Sequence, residues 1–433
     1  MKIALVNPNW SFTGSIYFGC QEPHLPLEYG YARALLEREG HEVELIDAHM
    51  EGLTRDALRG RVAAFAPEMT VVTTAPSYLF WRCAPPELRV PQETVQDLGA
   101  LGGTWVAVGP HASTTPGPTL AKLGVDAVVL GECEEVLAEL ARTPRERWHQ
   151  VNSLAYWRGE RVHVQGGPAA ANMGALPALH WPAAYVRRHA HHHHRFDVAP
   201  QGPGAELEAS RGCPYSCTFC AKDNYRDRYR RRPLAVVLEE LDGLIAQGVE
   251  YVYFVDEIFL PNRELLQALV RRPVTFGVQT RIDLWGLDML DLLGEAGCVS
   301  IEAGVESISS AGRDLLAKRC KLDTADLTRR LVHAKCSVPF VQATLMESGV
   351  DDPQAVQAWR EELQQAGVWA NEPVPLFPYP GSPDYRRLWG APDERAWERA
   401  VDHYLGLFDH FSDIQEQRPR PLTELEARPA RHR

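Results

Sequence analysis

The first 140 residues alternate between short apolar segments and stretches with helical periodicity. In the helical stretches, Leu27, Tyr31 and Leu35 recur on one face before Gly40 ends the helix, and Thr54 can cap a second helix. Between these helices, five segments predict strands, at residues 2–6, 41–47, 69–74, 105–109 and 127–131. Strands separated by helices predict a doubly wound parallel sheet, which binds ligands beyond the carboxyl ends of its strands.

The periodicity fades between residues 143 and 204. Residues 155–165 alternate as a hairpin that turns at Arg158-Gly159, and a stretch rich in proline and alanine follows. This stretch ends in a histidine tract, His189 and His191–His194, which we interpret as solvated or facing a substrate, with metal binding as the alternative. We expect a linker that contains a small β element.

From residue 205 the alternation of strands and helices resumes, and about six β/α repeats follow. The predicted helices lie at 233–248, 287–296, 324–335 and 353–366, and the predicted strands at 251–255, 274–280, 299–305, 338–346 and 368–376. This order predicts a partial (β/α) barrel, with its chemistry at the carboxyl ends of the strands. The tail after Pro378 is rich in Pro, Trp and Tyr, either packing or closing the barrel mouth, and is then helical at 393–411. We therefore expect four units: residues 1–142, 143–204, 205–376 and 377–433.

Composition narrows the function classes. The net charge of −12 argues against nucleic acid as a partner, and no apolar run is long enough to span a membrane. The first residues lack the pattern of a signal peptide, so a cytoplasmic location is expected. In that reducing compartment, grouped cysteines indicate metal binding or catalysis more often than cross-links.

Three of the nine cysteines form one group, Cys213, Cys217 and Cys220, with the spacing C-x3-C-x2-C. Three thiolates in one loop can each bind one iron of a [4Fe–4S] cluster and leave the fourth iron open to a ligand. A zinc site is the alternative, and it would take its fourth ligand from the nearby histidine tract. The other six cysteines are scattered singly, and we expect them in the core.

This motif, with Phe219 before the third cysteine and a strand ahead of it, resembles that of the radical SAM superfamily. The resemblance implies that S-adenosylmethionine binds the open iron and is cleaved by one electron to a 5′-deoxyadenosyl radical. It also implies a flavodoxin- or ferredoxin-type electron donor.

The resemblance extends to residues at the ends of later barrel strands. Asp256-Glu257 occupies the place of the acidic motif that holds the methionine ammonium group. Arg281 is a candidate partner for the methionine carboxylate, and Glu306, in the segment that starts at Glu302, is a candidate for the ribose hydroxyls. Structural ion pairs at a barrel rim are the alternative for each of them.

The N-terminal half is similar to the cobalamin-binding domain that precedes some radical SAM barrels. The resemblance makes residues that follow its strands candidate cobalamin contacts: Asn7, Pro8, Thr73, Thr74, Ser77, Gly109, Pro110, His111, Gly131 and Glu132. Asp47-Ala48-His49 begins a D-x-H-x-x-G motif, but it follows the second strand, whereas a histidine that ligates cobalt follows the first. We therefore expect cobalamin to bind without His49.

Together these features predict an α/β protein with an N-terminal Rossmann-like cobalamin-binding domain, a partial (β/α)6 radical SAM barrel and a helical C-terminal cap. The implied activity is methylation of an unactivated carbon of a small molecule. Rearrangement or cyclisation without methyl transfer is the first alternative, and a cobalamin- or redox-responsive sensor is the second. A basic run that includes Arg226, Arg228, Arg230, Arg231 and Arg232 is either solvated or anchors an anionic group of the substrate or cofactor.

Overall fold

The computed structural model describes residues 1–16, 22–81, 83–189, 202–222, 228–407 and 418–427. Its first sheet has seven strands in the order β2-β1-β3-β4-β5-β6-β7. These strands are β1 (Lys2–Asn7), β2 (Glu42–Asp47), β3 (Met69–Thr73), β4 (Thr104–Val108), β5 (Ala127–Val129), β6 (Leu154–Arg158) and β7 (Arg161–Gln165). The first five strands pair in parallel, so their carboxyl ends share one edge.

The predicted hairpin exists as β6 and β7, but it continues the first sheet and does not stand apart in a linker. β6 pairs antiparallel with β5 and places Leu154, Ala155 and Tyr156 in the core. Its apolar residues are buried because they continue the faces of the parallel strands.

Helices cover both faces of this sheet. They are α1 (Leu27–Arg38), α2 (Ala48–Glu51), α3 (Arg55–Phe65), α4 (Tyr78–Trp81), α5 (Arg89–Leu98), α6 (Pro110–Thr114), α7 (Pro116–Leu123) and α8 (Glu134–Arg142). Along β1, Ile3 and Leu5 pack in one apolar cluster, whereas Ala4 and Val6 pack in a second cluster on the opposite face. This alternation is what two covered faces require.

The second sheet has six parallel strands in the order β15-β14-β13-β12-β11-β8. It contains β8 (Gly204–Leu207), β11 (Tyr251–Phe254), β12 (Thr275–Thr280), β13 (Cys298–Glu306), β14 (Phe340–Leu345) and β15 (Trp369–Ala370), while β9 (Ser210–Arg211) and β10 (Arg230–Arg231) form a small ribbon. The linker helix is α9 (Ala183–Arg188), and the barrel helices are α10 (Leu234–Ala246), α11 (Arg263–Leu269), α12 (Leu287–Glu295), α13 (Ser310–Leu315), α14 (Thr324–Lys335) and α15 (Pro353–Gln365). The predicted α/β class and partial barrel are confirmed, although the last strand is shorter than predicted.

The tail forms a small third layer. It contains α16 (Pro383–Trp389), α17 (Ala396–Gly406) and α18 (Leu422–Leu425), and the predicted end of its long helix at residue 411 lies outside the described residues. Phe377, Tyr385, Trp397 and Tyr404 build an apolar cluster with Ala84 of the first domain. In the described ranges, no helix combines the length and apolar content needed to cross a bilayer.

Candidate active site

A cavity of about 350 Å³ opens at the carboxyl ends of the barrel strands. Residues from four barrel strand ends, from the cysteine loop and from the tail line it. Among them are Cys213, Cys217, Cys220, Phe219, Glu257, Gln279, Arg281, Glu306, Lys318, Met346, Phe377 and Tyr379. One lining residue, Cys83, comes from the N-terminal domain, so the cavity lies where the two domains meet. The tail contributes to the mouth of the barrel, as one interpretation of its sequence expected.

The cysteine loop is held from three sides. The backbone N–H of Thr218 donates to Leu316 (3.1 Å), and its carbonyl accepts from the N–H of Asp384 in the cap (2.9 Å). Lys222 donates to the carbonyl of Cys213 (2.6 Å). These contacts fix a loop that has little regular structure of its own.

The three thiols face one cavity but do not converge on one point. Burial raises the pKa of Cys213, Cys217 and Cys220. Among the described side chains that could hold a single ion, with ligand atoms within 4.8 Å of one another, these sulfurs do not form a set. A mononuclear zinc site would require the sulfurs to meet at one ion, whereas an iron–sulfur cluster places each thiolate on a different iron.

The other cysteines depart in part from the expected core positions. Cys133 and Cys298 are buried, but Cys83 and Cys336 are exposed. Cys20 lies outside the described residues. The place of Cys83 at the cavity had no signal in the sequence, because no neighbouring motif marks it.

The two adjacent acids after β11 have different surroundings. Asp256 accepts from the N–H of Ala209 (2.8 Å) and from the hydroxyl of Ser210, and burial raises its pKa to about 8. It therefore braces the chain between β8 and β9. Glu257 lines the cavity and accepts from the N–H of Gly212 (2.6 Å), next to the first cysteine. Of the two, Glu257 is the acid that a cavity ligand can reach.

Arg281 stands at the end of β12 with part of its donor set unused. Two of its nitrogens bind Asp283 (3.1 and 2.8 Å), and its guanidinium lies 4.0 Å from the ring centroid of Tyr215. Its Nη1 is buried and has no hydrogen-bond partner within the part of the chain that the structure describes. A donor in this state suits an incoming carboxylate.

Glu306 ends β13 in a strained conformation. Its φ of 67° is in the left-handed region, and the pairing of β13 with β14 shifts register between Gly304 and Glu306. Its Oε1 forms a buried ion pair with Lys318 (2.7 Å), while Oε2 has no hydrogen-bond partner among described atoms. Strain of this kind at a glutamate, held by a buried lysine, is typical of functional sites. Lys318 was not predicted, because it lies beyond a helix that carries no motif.

Glu302 lies deeper in the barrel, between two glutamines. Register places Gln279 of β12 and Gln342 of β14 on either side of it. The side-chain oxygens of both glutamines are buried without a hydrogen-bond partner in the described ranges. The interior of the barrel is therefore polar below the cavity.

A buried guanidinium joins the cysteine loop to the N-terminal domain. Arg211, two residues before Cys213, pairs with both oxygens of Glu208 (2.8 Å each), with Glu132 (2.9 Å) and with Glu134 (2.7 Å). None of these four side chains is exposed. Glu132, a candidate cobalamin contact, also pairs with Arg230 of the basic run (2.5 Å). Glu132 of the N-terminal domain therefore forms ion pairs with two arginines, Arg211 and Arg230, that flank the cysteine loop.

The other arginines of the basic run are partly buried in ion pairs and partly near the surface. Arg232 pairs with Glu240 (2.7 Å) in the interior, and Arg226 lies outside the described residues. Arg228 and Arg231 are near the surface. These pairs favour a structural role for Arg230 and Arg232 over an anchor for an anionic ligand.

The carboxyl edge of the first sheet carries several predicted residues together. Thr74 and Ser77, just after β3, have buried hydroxyls with no hydrogen-bond partner in the described segments. Gly109 follows β4 with φ 117°, and a Cβ there would lie 2.4 Å from Oγ1 of Thr74. Orphaned hydroxyls beside a backbone without a side chain suit a polar ligand at this edge.

Other candidates at this edge are occupied by the protein itself. Asn7 donates to Asp47 (2.8 Å), Thr73 bonds to the carbonyl of Ala75 (2.6 Å), and Gly131 packs its Cα against Ala169. His111, in α6 after Pro110, stacks on Trp397 of the cap with ring centroids 4.2 Å apart, and burial lowers its pKa to about 3. Pro8 is buried directly after the end of β1.

The two histidine features have separate places. His49 lies in α2 and its ring contacts Asn9 (3.2 Å). His189 is buried at the end of α9, whereas the rest of the tract, His191–His194, lies outside the described residues. Neither His49 nor His189 lines the cavity.

Comparisons with known proteins show which family model, relatives and folds the chain resembles. Residues 207–346 match the family model described as the radical SAM superfamily. An uncharacterized methyltransferase of Pyrococcus horikoshii is 25% identical over 330 residues, which cover 73% of this chain and 68% of that protein. An anaerobic magnesium-protoporphyrin IX monomethyl ester cyclase of Cereibacter sphaeroides is 25% identical over 343 residues, and the chain spans 52% of its length.

Among solved structures, the chain resembles the radical S-adenosylmethionine methyltransferase TsrM of Kitasatospora setae, which was solved with cobalamin and a [4Fe–4S] cluster. The TM-score is 0.69 at 21% identity, over 88% of this chain and 76% of the other. The likeness shows that the two proteins share a fold across both domains.

Proposed function

We propose that this chain is a radical SAM enzyme, with the fold of a cobalamin-containing member, and that it methylates an unactivated carbon of a small molecule. The observation that carries this proposal is one cavity that combines three free thiols with Glu257, Arg281 and the strained Glu306. A sensor without turnover would have no need for that combination of acid and base at the strand ends. The chain spans about half the length of one curated relative. The proposal therefore depends on the residues of the cavity and not on that relative's activity.

The residues at the cavity fit a cluster and S-adenosylmethionine. Cys213, Cys217 and Cys220 would hold three irons. Arg281 would bind the methionine carboxylate through Nη1, which has no hydrogen-bond partner in the described ranges, and Glu257 would bind the ammonium group. Glu306 would accept from ribose hydroxyls, because Lys318 engages only one of its oxygens. Charge-assisted bonds of this kind fix the position of a ligand as well as its affinity.

When bound, the cluster and cobalamin supply the electron that cleaves S-adenosylmethionine and the methyl group that is transferred. The chain supplies position and exclusion of water. Met346, Phe377 and Tyr379 give the cavity an apolar wall on the side of the cap. Such a wall protects a reactive radical from solvent.

Cobalamin would bind at the carboxyl edge of the first sheet, where hydroxyls that lack a hydrogen-bond partner in the described segments lie beside a glycine. Thr74, Ser77 and the bare backbone at Gly109 are the residues that would contact it. The substrate would lie between this edge and the barrel, in a cavity at the lower end of the range for small-molecule sites, about 300–1,000 Å³. An anionic group on the substrate would meet Lys222, which lines the cavity, and a flavodoxin- or ferredoxin-type protein would supply the electron.

Anaerobic reconstitution with iron, sulfide and cobalamin tests the proposal. S-adenosylmethionine with a deuterated methyl group, a reductant and a metabolite extract would be added, and the products analysed by mass spectrometry. We expect 5′-deoxyadenosine, S-adenosylhomocysteine and a labelled product. Cys217→Ala should abolish all three, whereas Cys336→Ala, at an exposed lone cysteine, should retain them.

The cyclase relative keeps one alternative open to the same assay. Formation of 5′-deoxyadenosine without S-adenosylhomocysteine or label in a product would indicate cyclisation or rearrangement. Failure to form 5′-deoxyadenosine from protein with a complete iron and sulfide content would refute the radical chemistry.

A further inference from the structure

Two histidines and one glutamate meet in the interior, away from the three thiols. His24 lies in the segment before α1, His189 directly follows α9, and Glu206 belongs to β8. His24 Nδ1 is 2.7 Å from Glu206 Oε1, and His189 Nε2 is 3.9 Å from the same oxygen. The three residues are 4%, 8% and 1% exposed, so the group is closed to solvent.

The arrangement has the composition and spacing of a metal site. One ligand atom from each side chain lies within 4.8 Å of the other two. Two bonds of about 2.1 Å at a tetrahedral angle hold donor atoms roughly 3.4 Å apart, and the distances of 2.7 and 3.9 Å lie on either side of that value. Small rotations of the imidazoles would therefore bring all three donors to one ion.

The chemistry of the group favours a cation. A carboxylate that is buried needs a charge partner or a metal. Glu206 Oε2 has no hydrogen-bond partner in the part of the chain described, so the carboxylate has capacity that His24 and His189 do not use.

We propose that His24, His189 and Glu206 form a structural site for a divalent ion of the zinc type, separate from the cysteine cluster. Imidazole nitrogen and carboxylate oxygen are borderline and hard ligands that suit zinc. The ion would join three segments that are distant in sequence: the start of the N-terminal domain, the end of the linker and the first barrel strand. Its role would be to fix the linker between the domains.

The proposal does not depend on the methyltransferase assignment, and its readout is metal content. Holoprotein would be desalted to remove loosely bound ions, and iron and zinc counted per chain by mass spectrometry. The test protein carries His191→Asn, His192→Asn, His193→Asn and His194→Asn, which remove adventitious metal binding by these four histidines. We expect about one zinc per chain beside the roughly four irons of one cluster.

Three variants in this background decide the assignment. Glu206→Gln and His189→Asn should reduce zinc to background while iron is unchanged, and His24→Asn should do the same. His180→Asn, in the same linker and 69% exposed at its side chain, is the matched control and should retain zinc. A triple variant, Cys213→Ala, Cys217→Ala and Cys220→Ala, should lose iron and keep zinc, which excludes zinc bound at the cysteines.

Thermal unfolding gives a second readout should a variant fold poorly. Zinc would first be removed from the test protein with a chelator. Adding zinc back should then raise its thermal unfolding midpoint and leave that of Glu206→Gln unchanged. Zinc at background in the test protein, with no shift of the midpoint, would show that His24 and Glu206 are only a hydrogen-bonded pair. Zinc retained by Glu206→Gln and His189→Asn would place the ion elsewhere, and iron in its place would overturn the choice of metal.

Discussion

Replacing Arg211 with methionine should destabilise the protein more than any exposed arginine does. The substitution keeps an unbranched side chain of similar length, but it removes the positive charge that faces Glu208, Glu132 and Glu134. All four side chains are completely buried, so water cannot replace the lost partner. The perturbation therefore leaves uncompensated charge in the interior.

The contacts of Arg211 set the magnitude. They comprise a bidentate pair at 2.8 Å and two further carboxylate contacts at 2.9 and 2.7 Å. Breaking a buried pair by removing one partner costs about 3–5 kcal/mol. Protonation of one carboxyl limits the loss, so we expect a decrease of about 3–5 kcal/mol in the free energy of unfolding and not a multiple of it. Because the cysteine loop begins two residues later, iron content should fall as well.

Urea unfolding followed by tryptophan fluorescence and by circular dichroism measures this loss, provided that the two probes coincide. Arg395→Met is the matched control: Arg395 pairs with Glu398 at 2.9 Å, but its side chain is 69% exposed, so solvent screens the pair and a much smaller loss is expected. The double variant Arg211→Met with Glu134→Gln should be more stable than Arg211→Met alone, since it removes one uncompensated charge. A loss for Arg211→Met within 1 kcal/mol of the control would refute the reasoning.

Three further predictions concern the site and the cap. Glu306→Gln leaves the Lys318 ammonium without its buried ion pair. Formation of 5′-deoxyadenosine, measured by mass spectrometry, should therefore fall on the order of 10–100-fold while the iron content is unchanged. Full activity would contradict the role of Glu306. Asp256 has a pKa of about 8 when folded and roughly 3.9 when unfolded, so its contribution to stability is lost as pH rises between these values. Asp256→Asn should flatten that slope in urea unfolding at about pH 5 and pH 8, and an unchanged slope would assign the proton elsewhere. Trp397→Ala removes the ring that stacks on His111, so amide hydrogen exchange in α16 and α17 should accelerate while β12 and β13 stay protected; equal acceleration in both regions would show that the cap is not a separate unit.

The local part of this structure was predictable from sequence. Cys213, Cys217 and Cys220 lie within one loop, so their spacing is visible in the sequence. Each strand end is visible too, because an apolar segment stops before the next helical stretch begins. The fold was therefore predictable down to the residues that follow each strand, including Glu257, Arg281 and Glu306. The distinction between Asp256 and Glu257 was not, because it depends on which of two adjacent side chains meets Ala209 and Ser210.

Contacts between distant segments could not be predicted. Glu206 lies 182 residues from His24, and no local pattern marks either as a partner of the other. Trp397 lies 282 residues from Thr115, to which its indole N–H donates. Glu132 follows a strand as a ligand-binding residue would, yet tertiary packing places it against Arg211 and Arg230. Such pairings depend on how the domains pack, which a single sequence does not encode in its periodicity.

The packing also indicates which part of the molecule can admit a substrate. One apolar cluster includes Ile3 of the first sheet and Ile301 of the second, so the core is continuous between the domains, and Arg211 adds buried ion pairs across the same interface. Opening a hinge there would expose both apolar surface and charge, at a cost of many kcal/mol. The cap instead packs through a small cluster around Tyr385 and Trp397 and lines the cavity through Phe377. Because low local stability follows from few buried contacts, we expect the cap, and not the domain interface, to open when a substrate enters.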